Sequence, residues 1–165
     1  MAESTADEST AAGRVRREFG MDYLQRRIAA DFPLARHLGI VVDSVDDGGL
    51  VLTAPLAANA NDKGTAFGGS LFSVAVLTGW AWVARHLAAN EMSADAVIQE
   101  STMRYLLPVE GPLRASLVAP AAAQVEKFDK MLQRAGRGRI HLEVRICHEG
   151  KLASEFEGLY AAALR

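Results

Sequence analysis

"ANDKGTAFGGSLFSVAVLTGWAW", residues 60–82, decides how the chain folds. From Gly64 to Ala84 there is no ionisable side chain, in a chain where 23% of residues are charged. A membrane span needs ~20 predominantly apolar residues, whereas a run of 10–14 is typical of a buried core helix. The continuous apolar part here extends only from about Leu71 to Ala84, so the pattern predicts a core helix from about Phe67 to Ala88. A helix apolar on nearly every face must be enclosed by protein. One sheet from a small domain covers part of it, so a second subunit is expected to supply the rest. Edge-to-edge sheet pairing about a two-fold axis would do so and would also remove exposed strand edges.

Working outward, Val15, Phe19, Tyr23, Leu24 and Ile28 form an i, i+4 stripe that predicts a helix over 15–30. Asp31 and Pro33 end it and start a short further turn of helix, proline being favoured at a first helical position. "GIVVDSVDDGGLVLTAPL" reads as a hairpin around Asp46, Asp47, Gly48 and Gly49. After Asn90 the period changes to two. Val97, Gln99, Ser101, Met103 and Tyr105 are expected on one face of a strand, with Ile98, Glu100, Thr102, Arg104 and Leu106 on the other. "LRASLVAP" returns as a strand, residues 122–134 are mixed in pattern and compatible with a short helix, and the chain closes as a hairpin about Glu149-Gly150. Two strands, one long apolar helix and four more strands predict an α+β fold, an antiparallel sheet wrapped around the helix.

The length of 165 residues suits a single domain, assigned to residues 14–165, which should bury roughly two thirds of its unfolded surface. Residues 1–13, "MAESTADESTAAG", are small, polar and acidic and read as a flexible leader. They lack the basic start and apolar segment of a secretory signal. A lone Cys147 fits a reducing compartment, with cytoplasm as the expectation. A net charge of −2 gives no electrostatic footprint for nucleic acid or an anionic membrane. His37, His86, His141 and His148 form no ligand spacing, so neither a metal site nor a cofactor is expected. Arg134, Arg137 and Arg139 read either as a solvated turn or as a phosphate-binding patch, since guanidinium forks suit phosphate oxygens.

The head of the core helix carries the chemistry. Free backbone N–H groups and the positive end of the macrodipole gather there. Gly68 and Gly69 would let an oxygen approach those donors without meeting a Cβ, or would instead let a strand pack tightly on the helix. Preorganised donors of this kind stabilise an oxyanion, and losing one typically costs ~10²–10³ in rate.

The motif Asn61, Gly64, Thr65, Phe67, Gly68, Gly69, followed by an apolar helix and "MRYLLPVEGPL", resembles the hotdog-fold acyl-thioesterases, and more closely the thioesterases related to the YiiD C-terminal domain. "APLAANAN", "FGGSLFSVAVLTGW", "RYLLPV", "LQRAGRGRIHLEVRICHEGKL" and "FEGLYAAAL" carry the likeness over about residues 20–164. The resemblance implies a curved sheet around a central helix, a homodimer or a dimer of dimers, and acyl-CoA or acyl-carrier-protein thioesters as ligands. It implies that the Gly68 N–H, with Gly69 beside it, polarises the thioester carbonyl. Asn61 would stand near the carbonyl or the attacking water. Beside that resemblance, Thr65, Phe67, Leu71, Val76 and Thr78 are read as substrate-site residues, with Phe67, Leu71 and Val76 forming an apolar pocket.

Two positions depart from the family pattern. Many of its hydrolases carry Asp or Glu on the helix where this chain has Val76, and a histidine where it has Phe67. A base is worth ~10²–10⁴ in rate. Glu100, with Thr102 on the same face, is the candidate, and a surface or interface carboxylate is its alternative reading. Thr78 lies near the missing base as a positioner or as a helix threonine bonded back to a carbonyl. Decarboxylation of a malonyl thioester, with which the related family is associated, would need a held carbonyl and no base. A non-catalytic acyl-thioester binding module is the further alternative.

Overall fold

The computed structural model describes residues 18–165, so the expected leader and Val15 lie outside the described residues. Helix α1 (Met21–Asp31) starts later than the apolar stripe predicts, because Gly20, its N-cap residue, is extended and leaves Phe19 outside the helix. Leu24 and Ile28 are fully buried, each contributing roughly 1.5–3 kcal/mol of burial free energy. Helix α2 (Pro33–Leu38) has proline in its first turn and ends on Gly39 at φ 67°, a left-handed position suited to glycine. Gln25 Oε1 then accepts the Val42 N–H at 2.8 Å and ties α1 to the first strand.

The expected hairpin forms from β1 (Val41–Val45) and β2 (Gly49–Ala54). Its turn is held by Asp46 Oδ1, which accepts the Gly48 N–H at 2.7 Å. Helix α3 (Gly68–Ala89) follows, then β3 (Ala94–Tyr105), β4 (Leu113–Val118), helix α4 (Ala122–Ala135), β5 (Arg137–His148) and β6 (Lys151–Leu164). The strands build one antiparallel sheet in the order β1-β2-β4-β5-β6-β3, which curves around α3. The helix packs against β2, β3, β4, β5 and β6. This is the hotdog arrangement.

Helix α3 is long and apolar enough to cross a membrane, yet 67% of its most apolar window is buried by the sheet and neighbouring helices. Its core position follows from residues such as Val74, Ala75, Ala81 and Val83, all at 0% exposure. One strip remains open, where Phe72 is exposed and Val76 and Trp80 are half-buried at i, i+4 and i+8. Trp80 leans edge-on against Phe32, whereas Trp82 faces the other way and stacks on His86.

Strand β5 alternates as the sequence predicts, with Ile140, Leu142, Val144 and Ile146 inward. Its hairpin with β6 turns at Glu149 (φ 48°) and Gly150 (φ 75°), two left-handed residues in succession as a tight type I′ turn requires. Helix α4 extends over the predicted segment and buries Phe128 and Leu132. It covers the part of β5 that runs beyond β4, with Gln124 Nε2 donating to the His141 carbonyl at 3.2 Å.

Strand β3 differs from the predicted alternation. Ile98 pairs with Tyr160 and Glu100 with Leu159, so Gln99 is an extra, bulged residue. Ile98 therefore shares the inner face with Met103 and Tyr105, which pair with the buried Phe156 and Ser154. Val97 faces out.

Candidate active site

The segment before α3 is closed by its own hydrogen bonds. Asn59, 2% exposed, donates from Nδ2 to the Leu38 and Pro55 carbonyls at 2.8 Å each. Its main-chain oxygen accepts the Phe67 N–H at 2.7 Å. Asn61 Oδ1 accepts the N–H groups of Lys63 (2.8 Å) and Thr65 (3.2 Å), and Asn61 Nδ2 donates to Thr65 Oγ1 at 2.9 Å. The Ala66 N–H reaches the Val109 carbonyl at 2.8 Å and fixes the loop to the segment that leads into β4.

This loop delivers the chain to the head of α3 in a defined direction. Phe67 is the N-cap residue, and its carbonyl accepts the N–H groups of Ser70 and Leu71 at 3.0 Å each. The Gly68 and Gly69 N–H groups have no acceptor among the described residues. A Cβ on Gly69 would overlap the exposed Phe67 ring as it stands, with Cδ1 at 3.1 Å, so a side chain there would have to turn that ring aside. Gly68 opens on a cleft of about 360 Å³ lined by Leu71, Tyr105, Leu106, Pro108 and Val109 among others. Among the described residues its lining contains no carboxylate and no imidazole. A free N–H at Gly68 beside an apolar wall suits a neutral carbonyl that acquires negative charge as it reacts.

The other residues singled out from the sequence fall in different places. Phe67 stands exposed beside the helix head, and Leu71 lies beneath the cleft. Val76 is half-buried, and its carbonyl accepts the Tyr160 hydroxyl at 2.8 Å. Thr78 is fully buried and donates back to the Val74 carbonyl at 2.7 Å, which occupies its proton inside the helix. Glu100 and Thr102 pair with Leu159 and Glu157 and face outward, on the side of the sheet away from α3. Within the protomer they are not brought to Gly68. Glu100→Gln should accordingly change thioester turnover by less than about twofold, against ~10²–10⁴ for loss of a base; a steady-state thiol-release assay reads the difference.

The three arginines are exposed. Arg134 lies in the last turn of α4, and Arg137 and Arg139 stand on the outer face of β5, opposite Ala163 and Ala161. Those rows continue to Asp95 and Val97 on β3, at the far end of the strand from Tyr105. Eight to ten residues of strand separate the two ends, roughly 26–33 Å. Two contributors escape the sequence reading. Asn59 is signalled only by a second asparagine in "ANAN", and Tyr105 reads as sheet packing unless the Gln99 bulge is known.

A curved antiparallel sheet around one central helix, with free amides at that helix's head, defines a hotdog-fold protein of the thioesterase class. The family model described as putative thioesterase (YiiD C-terminal) matches residues 21–164, and the chain belongs to that family. A protein of unknown function from Chlorobaculum tepidum is 33% identical, with 88% of this chain and 94% of that one covered and a TM-score of 0.85. A putative thioesterase from Shewanella oneidensis is 30% identical, with 90% and 99% covered and a TM-score of 0.79. A probable thioesterase from Pseudomonas aeruginosa, at 20% identity and a TM-score of 0.73, shares the fold over 87% of this chain and 95% of its own.

Proposed function

We propose that the protein hydrolyses acyl thioesters carried on CoA or on an acyl carrier protein, at the head of α3. The observation that carries this is that the Gly68 and Gly69 N–H groups have no acceptor among the described residues, at a helix head where Gly68 borders an apolar cleft. Water adds to the thioester carbonyl carbon, the carbonyl oxygen becomes an oxyanion held by the two amides, and collapse breaks the C–S bond. The thiolate leaves and takes up a proton. Asn61 Nδ2 has a second hydrogen beyond the one given to Thr65, and it is assigned to the carbonyl or the attacking water.

The site is read as completed by a second copy of the chain. Strand β3 is 12 residues long and stands at a sheet edge beside the open strip of α3. Antiparallel pairing of β3 with a second β3 would bring one protomer's Arg137 and Arg139 end toward its partner's Tyr105 end. That arrangement gives the arginines a place near a carrier's phosphate which they lack within one protomer. Thr65 and Phe67 would border the entrance. A soluble cytoplasmic dimer, or a dimer of dimers, is the form in which we place the activity.

Decarboxylation of a malonyl thioester is the second reading. It is favoured by Val76 on the helix and by a cleft without carboxylate or imidazole. In this reaction the bond to the carboxylate breaks, carbon dioxide leaves, and the electron pair passes into an enolate held by the same amides before protonation. One experiment separates the readings: incubation with acyl-CoA, acyl-carrier-protein and malonyl-carrier-protein substrates, with free thiol and acetyl thioester measured together. Hydrolysis releases thiol from the acyl substrates. Acetyl thioester formed without thiol assigns the decarboxylase, and neither product, with substrate retained on the protein, assigns a binding module.

A further inference from the structure

We propose that Tyr105 is a positioning residue for the thioester carbonyl, acting through the Gly68–Gly69 peptide; its part in turnover rests on the thioester reading above. The Tyr105 hydroxyl donates to the Gly68 carbonyl oxygen at 3.0 Å. That oxygen and the Gly69 N–H are the two ends of one planar trans peptide and point in opposite directions. A hydrogen bond received at the oxygen therefore fixes where the N–H points. It also polarises the unit, making the N–H a stronger donor by about 10–30%.

The neighbouring donor shows the same construction by other means. The Gly68 N–H shares a peptide with the Phe67 carbonyl, which accepts the Ser70 and Leu71 N–H groups at 3.0 Å. Each of the two N–H groups thus shares a peptide with a carbonyl that is itself held. For Gly69 the holder from outside the helix is Tyr105.

The tyrosine is itself held. Its backbone pairs with Ser154 on β6, and immediately afterwards the Leu106 and Leu107 N–H groups both donate to the Ala153 carbonyl, at 2.8 and 3.1 Å. The ring lies over Gly68, where an added Cβ would meet its Cε1 at 3.4 Å. It also forms a wall of the cleft that Gly68 opens on. At 53% exposure it fills no part of the core, so its hydroxyl can be removed without unfolding the protein. The Gln99 bulge makes the contact possible, because it sets the phase that turns Tyr105 to the inner face.

Tyr105→Phe keeps the ring and deletes the hydrogen bond. Two measurements test it. In the resting protein, the Gly69 cross-peak of a ¹H–¹⁵N correlation spectrum should move upfield in the amide proton dimension, with resonances of the β1–β2 hairpin unchanged. In turnover, kcat should fall roughly three- to tenfold with KM within about twofold, since the lost polarisation matters most when the oxygen carries charge. An unmoved Gly69 amide overturns the proposal, as does an unchanged kcat or a loss confined to KM. If the wild-type protein turns over no thioester, the functional reading fails on its own, and the resting-state amide still decides whether Tyr105 controls that peptide.

Discussion

Gly79→Ala is expected to lower the thermal midpoint by roughly 5–10 °C, even though alanine is the better helix former by about 1 kcal/mol. Gly79 lies in the middle of α3, and a Cβ there would overlap the Tyr160 phenol and stand 2.6 Å from its Cε2. Tyr160 is fully buried on the inner face of β6 and cannot swing away. On its other side, a Cβ at Gly158 would come within 2.8 Å of the same ring, so two glycines on facing elements make its slot. Its hydroxyl donates to the Val76 carbonyl at 2.8 Å, and burial pushes the phenol pKa well above its usual value. The added methyl both overpacks the helix–sheet interface, at about 1–3 kcal/mol, and displaces a buried hydroxyl from its acceptor, at about 1–3 kcal/mol more. Set against the helix-propensity gain of about 1 kcal/mol, the net loss spans about 1–5 kcal/mol and centres near 3. Thermal unfolding followed by circular dichroism at matched protomer concentration measures it. In the Gly79→Ala, Tyr160→Phe double variant the oxygen overlap is gone and the ring contact remains, so stability should recover only in part. Strict additivity of the two changes would mean that the methyl never met the phenol.

Tyr160 also marks where the sequence stops being explicit. That α3 is a core helix is legible from its composition, because a run without charge on any face has nowhere else to go. The hairpins are legible too, since Ile140 to Ile146 alternate cleanly and the turns carry glycine. The Gln99 bulge is not. Around it Gln99, Glu100, Ser101 and Thr102 are polar on both faces, so a one-residue slip moves no apolar side chain into water and leaves no mark in the pattern. Everything downstream of that slip changes face relative to Val97 and Ile98, which is why Tyr105 reads as packing when it in fact reaches the helix head. The late start of α1 has a similar cause: Phe19 keeps the apolar spacing, but Gly20 gives up the helix before it.

The candidate site is legible to the same extent. Glycines at a helix head can be read as a place for close approach, and both their amides are without a partner among the described residues. The three arginines, by contrast, are neighbours in sequence that the chain divides between α4 and the outer face of β5 at Gly136. Proximity along the chain says little across such a turn.

Asn61 is the residue on which loop shape and chemistry are hardest to separate, and a pair of variants does so. Asn61→Ala should reduce thioester kcat/KM at least tenfold. It removes the acceptor for the Lys63 and Thr65 N–H groups together with the donor to Thr65 Oγ1, so part of that loss would be structural, with about 1–2 kcal/mol of stability. Asn61→Asp differs in kind. Its carboxylate keeps an oxygen for both N–H groups, and its second oxygen accepts the Thr65 hydroxyl, which reverses that bond without breaking it. The loop and the melting temperature should stay near those of the wild type. What disappears is the free amide hydrogen, replaced by a negative charge beside an oxygen that is itself becoming negative. If Asn61 addresses the carbonyl, the aspartate variant should be at least as slow as the alanine variant while far more stable. If Asn61 only braces the loop, the aspartate variant should turn over near the wild-type rate, and the residue leaves the mechanism. Thiol release and thermal unfolding, measured on both proteins, place them on one side or the other, because only a direct electrostatic role makes the better-folded variant the poorer catalyst.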